Sequence, residues 1–557
     1  MRHPVPRLTL IAAALLALGA CTPRGEVAGP AAGAKDPATA SVAPATVHAF
    51  KDGIDAADFA EHVKNLASDD FGGRGPGSAG EDKTVEYIKS QFARIGLQPG
   101  NGSDWFQTVP MVETTADESA TLDLAVGGQR QVLAFGQDMV VGTRTGQAVV
   151  SLKDSPLVFV GYGVDAPEQT WNDYAGIDVK GKTVVMLVND PGFHARDARL
   201  FDGTRMTYYG RWTYKFEEAA RKGAAAALII HDTDGASYGW DVVRNSWSGP
   251  QYDLPAKDDP APRVPVQGWI TGEAADALFK AAGQDLRKLR AAASKRGFKP
   301  VPLDATASLQ LASRSVEKRS RNVIGMLPGS EAPEEAIVYM AHWDHLGTHE
   351  GEPGDNIYNG AVDNATGVAG ILEIAEAFRK SPTPPKRSVL FLAVTLEESG
   401  LLGSKYYVAH PVVPLDKTVA VFNLDALAPV GRARDLTVVG KGSSQLEDAL
   451  KDVLDQQGRH AEAEDNTAAG YYFRSDHFNF AKAGVPALYI DSGIDLVTGG
   501  KAAGQAAGKD YTEQRYHKPG DQYDVATWKL DGIVQDLETV FTVGETRLHL
   551  LALIGEQ

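Results

Sequence analysis

Ile337-Val338-Tyr339-Met340-Ala341-His342-Trp343-Asp344-His345 is five apolar residues running straight into two imidazoles and a carboxylate. A short unbroken apolar run suits a strand buried on both faces. Strands of that kind belong to parallel sheets, whose ligand sites lie beyond the carboxyl ends. The pattern repeats downstream. Ser388 to Val394 is a second run and leads to Glu397-Glu398; Val419 to Leu424 is a third and leads to Asp425. Val323 to Leu327 and Ala487 to Ile490 read as further strands. Between them, Asn364 to Phe378 sets Val368, Ile371, Leu372 and Ala375 on one helical face. Leu401 to Val408, Leu446 to Leu454 and Leu530 to Leu551 also read as helices. Strand and helix in alternation from about Thr306 predict an α/β fold, a mixed, mostly parallel sheet sandwiched by helices.

The residues at these strand ends suit metal chemistry. Zinc takes imidazole nitrogen and carboxylate oxygen and keeps a place for water. Two ions about 3.5 Å apart need one shared carboxylate and separate terminal ligands. His342, Asp363, Glu398, Asp425 and His517 match that count, with Glu397 left over as general base for water. Asp344, two residues after His342, is placed to orient that imidazole. Each residue alone has a plainer reading. His342 suits a satisfied core histidine, and Glu397-Glu398 a solvated pair at a helix start. Asp363 suits an N-cap and Asp425 a turn. Their occurrence together, each at a strand or helix boundary, favours the metal site.

His342-Trp343-Asp344, Asp363-Asn364-Ala365, Glu397-Glu398, Asn423-Leu424-Asp425 and Tyr516-His517 resemble, in the same order, the motifs of the co-catalytic zinc aminopeptidases. Glutamate carboxypeptidase and the non-catalytic transferrin receptor are relatives of that family. The resemblance spans Thr306 to about Leu550, with Ala56 to Leu97 as an N-terminal part. It implies the zinc exopeptidase fold and two Zn2+ ions. It implies that Asp363 bridges them, that His342 and Asp425 hold one, and that Glu398 and His517 hold the other. Glu397 would take the proton of the bridging water and return it to the leaving amine. Tyr516 would donate to the oxyanion, and the Asp363-Asn364 peptide would be cis. Ala426 follows Asp425 where many relatives have Met, with no expected effect on the ligand. The activity implied is hydrolysis of N-terminal peptide bonds. A carboxypeptidase or dipeptidase is the alternative and would need an arginine cluster in its pocket. A binding protein on a dead scaffold would have lost ligands, and none is missing.

Outward from this core, 557 residues exceed one hydrophobic core and suggest about two or three domains. Residues 306–557 are the expected peptidase domain and 48–121 its N-terminal part. In the latter, Ala56 to Ala67 and Glu81 to Ile95 read as helices around a glycine-rich loop, Gly72 to Gly77. Residues 122–305 are rich in β-type runs such as Leu157 to Val160, Thr183 to Val188 and Ala226 to Ile230. Their phrases Gly161-Tyr162-Gly163, Asp173-Tyr174-Ala175-Gly176 and Val179-Lys180-Gly181-Lys182 resemble an inserted, β-rich protease-associated domain.

The first 21 residues read as a signal peptide ending in Leu18-Gly19-Ala20-Cys21. That ending resembles a lipobox and implies membrane attachment through lipidated Cys21, the single cysteine. Thr22 after it leans towards the outer membrane facing the periplasm, with the cell surface as the alternative. Residues 22–47, rich in Ala, Gly, Pro, Thr and Ser, read as a tether. A net charge of −17 argues against nucleic acid as a partner and leaves peptides as the expected substrates. Four features stay open. His345 and His349 suit loop or supporting roles. In Arg474-Ser475-Asp476-His477, either His477 meets substrate or Asp476 caps a helix. Asp355 to Tyr358 suits a rim, and Val497 to Asp510 a surface loop or flap.

Overall fold

The computed structural model describes residues 48–549 apart from 350 and 352; the expected leader, the tether and Cys21 lie outside the described residues. Asp55 starts helix α1 (Ala56–Leu66), its carboxylate accepting from the Ala57 and Asp58 N–H groups. Such a cap satisfies donors that a helix start leaves open. Phe59, Val63 and Leu66 form the buried stripe of α1. Ser78 caps α2 (Ala79–Ile95) in the same way, and Gly96 ends it in left-handed backbone. The glycine-rich loop between them is tighter than expected. It contains a 3-10 turn, Asp69–Arg74, in which Gly72 and Gly73 take positive φ.

Next come β1 (Phe106–Ala116), β2 (Val149–Phe159), β3 (Thr183–Leu187), α3 (Trp212–Arg221), β4 (Ala226–Ile230), α4 (Trp240–Trp247) and β5 (Val266–Ile270). Strands β2, β3, β4 and β5 pair in parallel in that order. Val185 and Leu187 face one core with Leu157 and Phe279, while Val184 and Met186 face another with Phe216 and Trp269. The stretch expected to be β-rich therefore carries helices as well as strands. Five-residue strands buried on both faces need helices on both sides, which the short runs alone do not reveal.

Strand β6 (Val301–Leu327) is 27 residues long. It pairs antiparallel with β2 near Leu309 and with β1 near Val316, so the change of texture expected near Thr306 falls inside one continuous strand. Beyond it lie β7 (Ala332–His342), α5 (Thr366–Lys380), β8 (Arg387–Val394), α6 (Leu402–Ala409), β9 (Thr418–Leu424), α7 (His477–Lys482), β10 (Ala487–Asp491), α8 (Gly500–Gln514) and α9 (Asp531–His549). Strand β7 lies between β8 and β9 with parallel pairing on both sides, β9 pairs in parallel with β10, and β6 joins β8 antiparallel. This is the mixed, mostly parallel sheet predicted. Ile337, Tyr339 and Ala341 pack under α1, α2, α5 and α9; Val338 and Met340 pack with Tyr407 and Phe480 on the opposite face. Each fully buried aliphatic side chain contributes roughly 1.5–3 kcal/mol relative to exposure. That fixes the strands and hence the positions of the residues just past their ends.

Candidate metal centre

His342 is the last residue of β7 and is buried. Its Nδ1 lies 3.1 Å from the Asp344 carbonyl oxygen, an acceptor, so Nδ1 carries the proton. Nε2 is left facing Asp425 Oδ1 at 3.1 Å and Asp363 Oδ1 at 3.4 Å. Orientation thus comes from the carbonyl of Asp344. Its carboxylate stands 3.8 Å from the ring and accepts the Glu397 N–H at 3.2 Å instead.

Asp363 sits in the turn before α5, and its peptide bond to Asn364 is cis. The Asp521 carboxylate accepts from the N–H groups of Val362 and Asp363, each at 3.0 Å. Asn364 donates to the Leu424 carbonyl at 3.0 Å and accepts from the Gly367 and Ala426 N–H groups. It thereby ties the end of β9 to the start of α5. The Asp363 carboxylate caps no helix. It lies between two imidazoles, with Oδ2 3.4 Å from His517 Nε2. Glu398 closes the second side, Oε2 3.1 Å from His517 Nε2 and Oε1 2.5 Å from His345 Nδ1.

His345, expected in a loop or supporting role, has its ring buried against Glu398, 5.7 Å from that of His517. Two contributors were not legible in the sequence. Arg74 is buried, and its guanidinium donates to the carbonyls of Trp343, Leu66 and Gly360 at 2.8–2.9 Å and to that of Asn359. It clamps the backbone that presents His342 and Asp363. Ser246 of α4 places Oγ 3.3 Å from His517 Nδ1. The open sequence features also resolve. His477 is buried against Tyr472 and Tyr489, and burial pushes it down to about 3. Asp476 caps nothing and accepts from Ser404 Oγ. Val497 to Asp510 falls largely within α8 rather than forming a loop. His349 packs against Tyr358, the rings tilted by 32°.

The electrostatics ask for cations. Burial alone would lower His517, yet Glu398 and Asp363 raise it to about 10. Burial likewise opposes the charging of His342, and Asp425, Glu397 and Asp363 override it, raising it well above its usual value. Burial works upward on Glu398 too, but the charges of His517 and His345 hold it at about 2. Burial pushes Asp344 to about 8. Carboxylates gathered away from water are costly unless positive charge lies among them. Donor atoms of His342, Asp363 and Asp425 lie within 4.8 Å of one another, as do those of His345, Asp363 and Glu398, with Asp363 common to both groups. Oxygen and imidazole donors in this arrangement fit a divalent ion such as zinc.

A cavity of about 180 Å³ opens beside the cluster, lined among others by Arg211, Tyr238, Trp247, Glu397, Arg474 and Tyr516. Tyr516 packs on His517, ring centroids 4.1 Å apart. A sheet with a parallel centre thus carries imidazoles and a shared carboxylate beyond its strand ends, a donor set that could hold metal.

Residues 322–542 match the model of Peptidase family M28. It is 28% identical over 329 residues to a probable lipoprotein aminopeptidase, LpqL, of Mycobacterium tuberculosis, covering 56% of this chain and 55% of that protein. It is 29% identical over 178 residues to aminopeptidase YwaD of Bacillus subtilis, covering 30% and 34%. The chain thus spans about half or less of the curated relatives it matches. Among solved structures, an aminopeptidase from Aneurinibacillus sp. strain AM-1 shares the fold, with a TM-score of 0.53 and 22% identity, covering 88% of this chain and 93% of that one.

Proposed function

We propose that the chain is a two-zinc exopeptidase that removes N-terminal residues from peptides. The observation that carries this reading is the Asp363 carboxylate, one oxygen towards His342 and the other towards His517. His342, Asp363 and Asp425 would hold one ion, and Asp363, Glu398 and His517 the other. Bound there, zinc polarises the scissile carbonyl and acidifies water. The remaining work belongs to the chain. Glu397, on the cavity wall, takes the proton of the attacking water and returns it to the leaving amine. Tyr516, on the lining of the same cavity, donates to the oxyanion. Asp344 holds the Glu397 backbone, and Arg74 and Asp521 hold that of Asp363. The 122–305 stretch is proposed as an inserted protease-associated domain. Export and lipid attachment at Cys21, with the enzyme facing the periplasm or the cell surface, complete the reading.

A carboxypeptidase or dipeptidase reading draws support from one observation. Arg211 is 8% exposed, and among the described residues neither its Nε nor that of Arg474, which lines the same cavity, has an acceptor. Paired guanidinium groups suit a carboxylate. An unblocked aminoacyl anilide, and an N-blocked peptide with a free carboxylate, assayed before and after chelation, separate the readings. Turnover of the anilide alone, lost to chelator and regained with zinc, is the expected result. Turnover that survives full metal removal rules out the mechanism.

A further inference from the structure

The two imidazoles of the centre are oriented from different places. The outer nitrogen of His342 is served from within its own strand end, by the Asp344 carbonyl. His517 has no such local partner. It stands in left-handed backbone, φ 54°, a conformation that an L-residue holds only when its surroundings impose it. Its Nε2 faces Asp363 and Glu398. Among the described residues, the hydrogen-bond partner of its Nδ1 is Ser246 Oγ, on α4. A second bond joins the same helix to the same loop, Asp241 Oδ2 to Lys518 Nζ at 2.9 Å. Helix α4 packs by Val243 into a core of the middle segment, with Phe216, Val184 and Trp269. The grip on His517 therefore comes from that core.

We infer that Ser246, backed by the Asp241–Lys518 pair, is the positioning residue for His517, so that the middle segment sets the affinity of one of the two metal sites. The hydroxyl accepts from Nδ1–H, which fixes the tautomer and leaves the Nε2 lone pair aimed between Asp363 and Glu398. Such outer partners tune metal affinity by about 10- to 100-fold. Asp241 is the lesser contributor: its side chain is 44% exposed, and exposed pairs contribute little. The inference rests on the two-ion reading above.

The test is titration of the metal-stripped full chain with zinc in competition with a chromophoric chelator, following both ions separately. For Ser246→Ala we expect one dissociation constant to rise about 10- to 100-fold, the other to hold, and Ser246→Thr to restore the first. Asp241→Asn should shift the same constant by a smaller factor. If the chain takes two ions and Ser246→Ala leaves both constants unchanged, the assignment is overturned. It is overturned equally if both constants weaken together, since a general loss of structure would do that. A wild-type chain that takes fewer than two ions overturns this inference and the two-ion reading together. Thermal unfolding of each variant identifies any that fails to fold, and Asp241→Asn, which keeps Ser246, then carries the comparison: no shift of the same constant overturns the assignment.

Discussion

At Glu397, backbone and side chain have separate tasks. The N–H is held by Asp344, so the side chain is free to face the cavity. Burial raises its carboxyl well above the usual range, and the neighbouring Glu398 and Asp425 charges push the same way. A carboxylate that accepts a proton readily is what a general base requires. Glu397→Gln keeps the shape and removes the basicity. Its kcat should fall about 100- to 10,000-fold while metal content, measured on the purified protein, stays at the wild-type level. Wild-type turnover would remove Glu397 from this role. Arg74 shows the other kind of residue, one whose importance lies in the five backbone carbonyls it gathers.

Helix α9 closes the sheet over Tyr339, whose hydroxyl donates to the Val540 carbonyl at 3.1 Å. The Tyr339 ring is stacked on Phe422 at 4.9 Å and on Phe391 at 5.8 Å, so it has little room to retreat. A Cβ on Gly544 would lie 1.8 Å from that hydroxyl oxygen. Helix propensity favours Ala over Gly by about 1 kcal/mol, but overpacking costs about 1–3 kcal/mol, and a clash this close lets the second term win. Gly544→Ala should lower stability in chemical denaturation, and by much less in a Tyr339→Phe background. Equal losses in both backgrounds would show that the hydroxyl is not the obstacle.

Across the whole molecule, the sheet brings Asp344, Asp363, Glu397, Glu398 and Asp425 to one end, on a chain already carrying a net charge of −17. Their mutual repulsion is relieved by protonation of the imidazoles or by bound cations. A ligand that binds only the folded state at about 100 times its dissociation constant adds about 2.7 kcal/mol. Zinc added to metal-stripped protein should therefore raise the unfolding midpoint by on the order of 5 °C, and chelator should reverse it. A midpoint indifferent to both would mean that the folded chain holds no such ions.

The strands, the helices between them and the residues at the strand ends were readable from local pattern. Burial on two faces demands an unbroken apolar run, and a parallel sheet exposes functional groups only where such runs stop. His342, Glu398 and Asp425 could be proposed that way, Asp363 by its place before a helix, and His517 only through the resemblance of Tyr516-His517. Tertiary structure alone brought in Arg74, 285 residues from the Asn359 carbonyl it serves, and Ser246, 271 residues from His517. It also turned the Asp344 carboxylate towards Glu397, and brought Arg211 and Arg474 to the lining of one cavity. A hydrogen bond needs contact and direction but leaves no period in the chain, so partners this far apart become visible only once packing has set the two cores side by side.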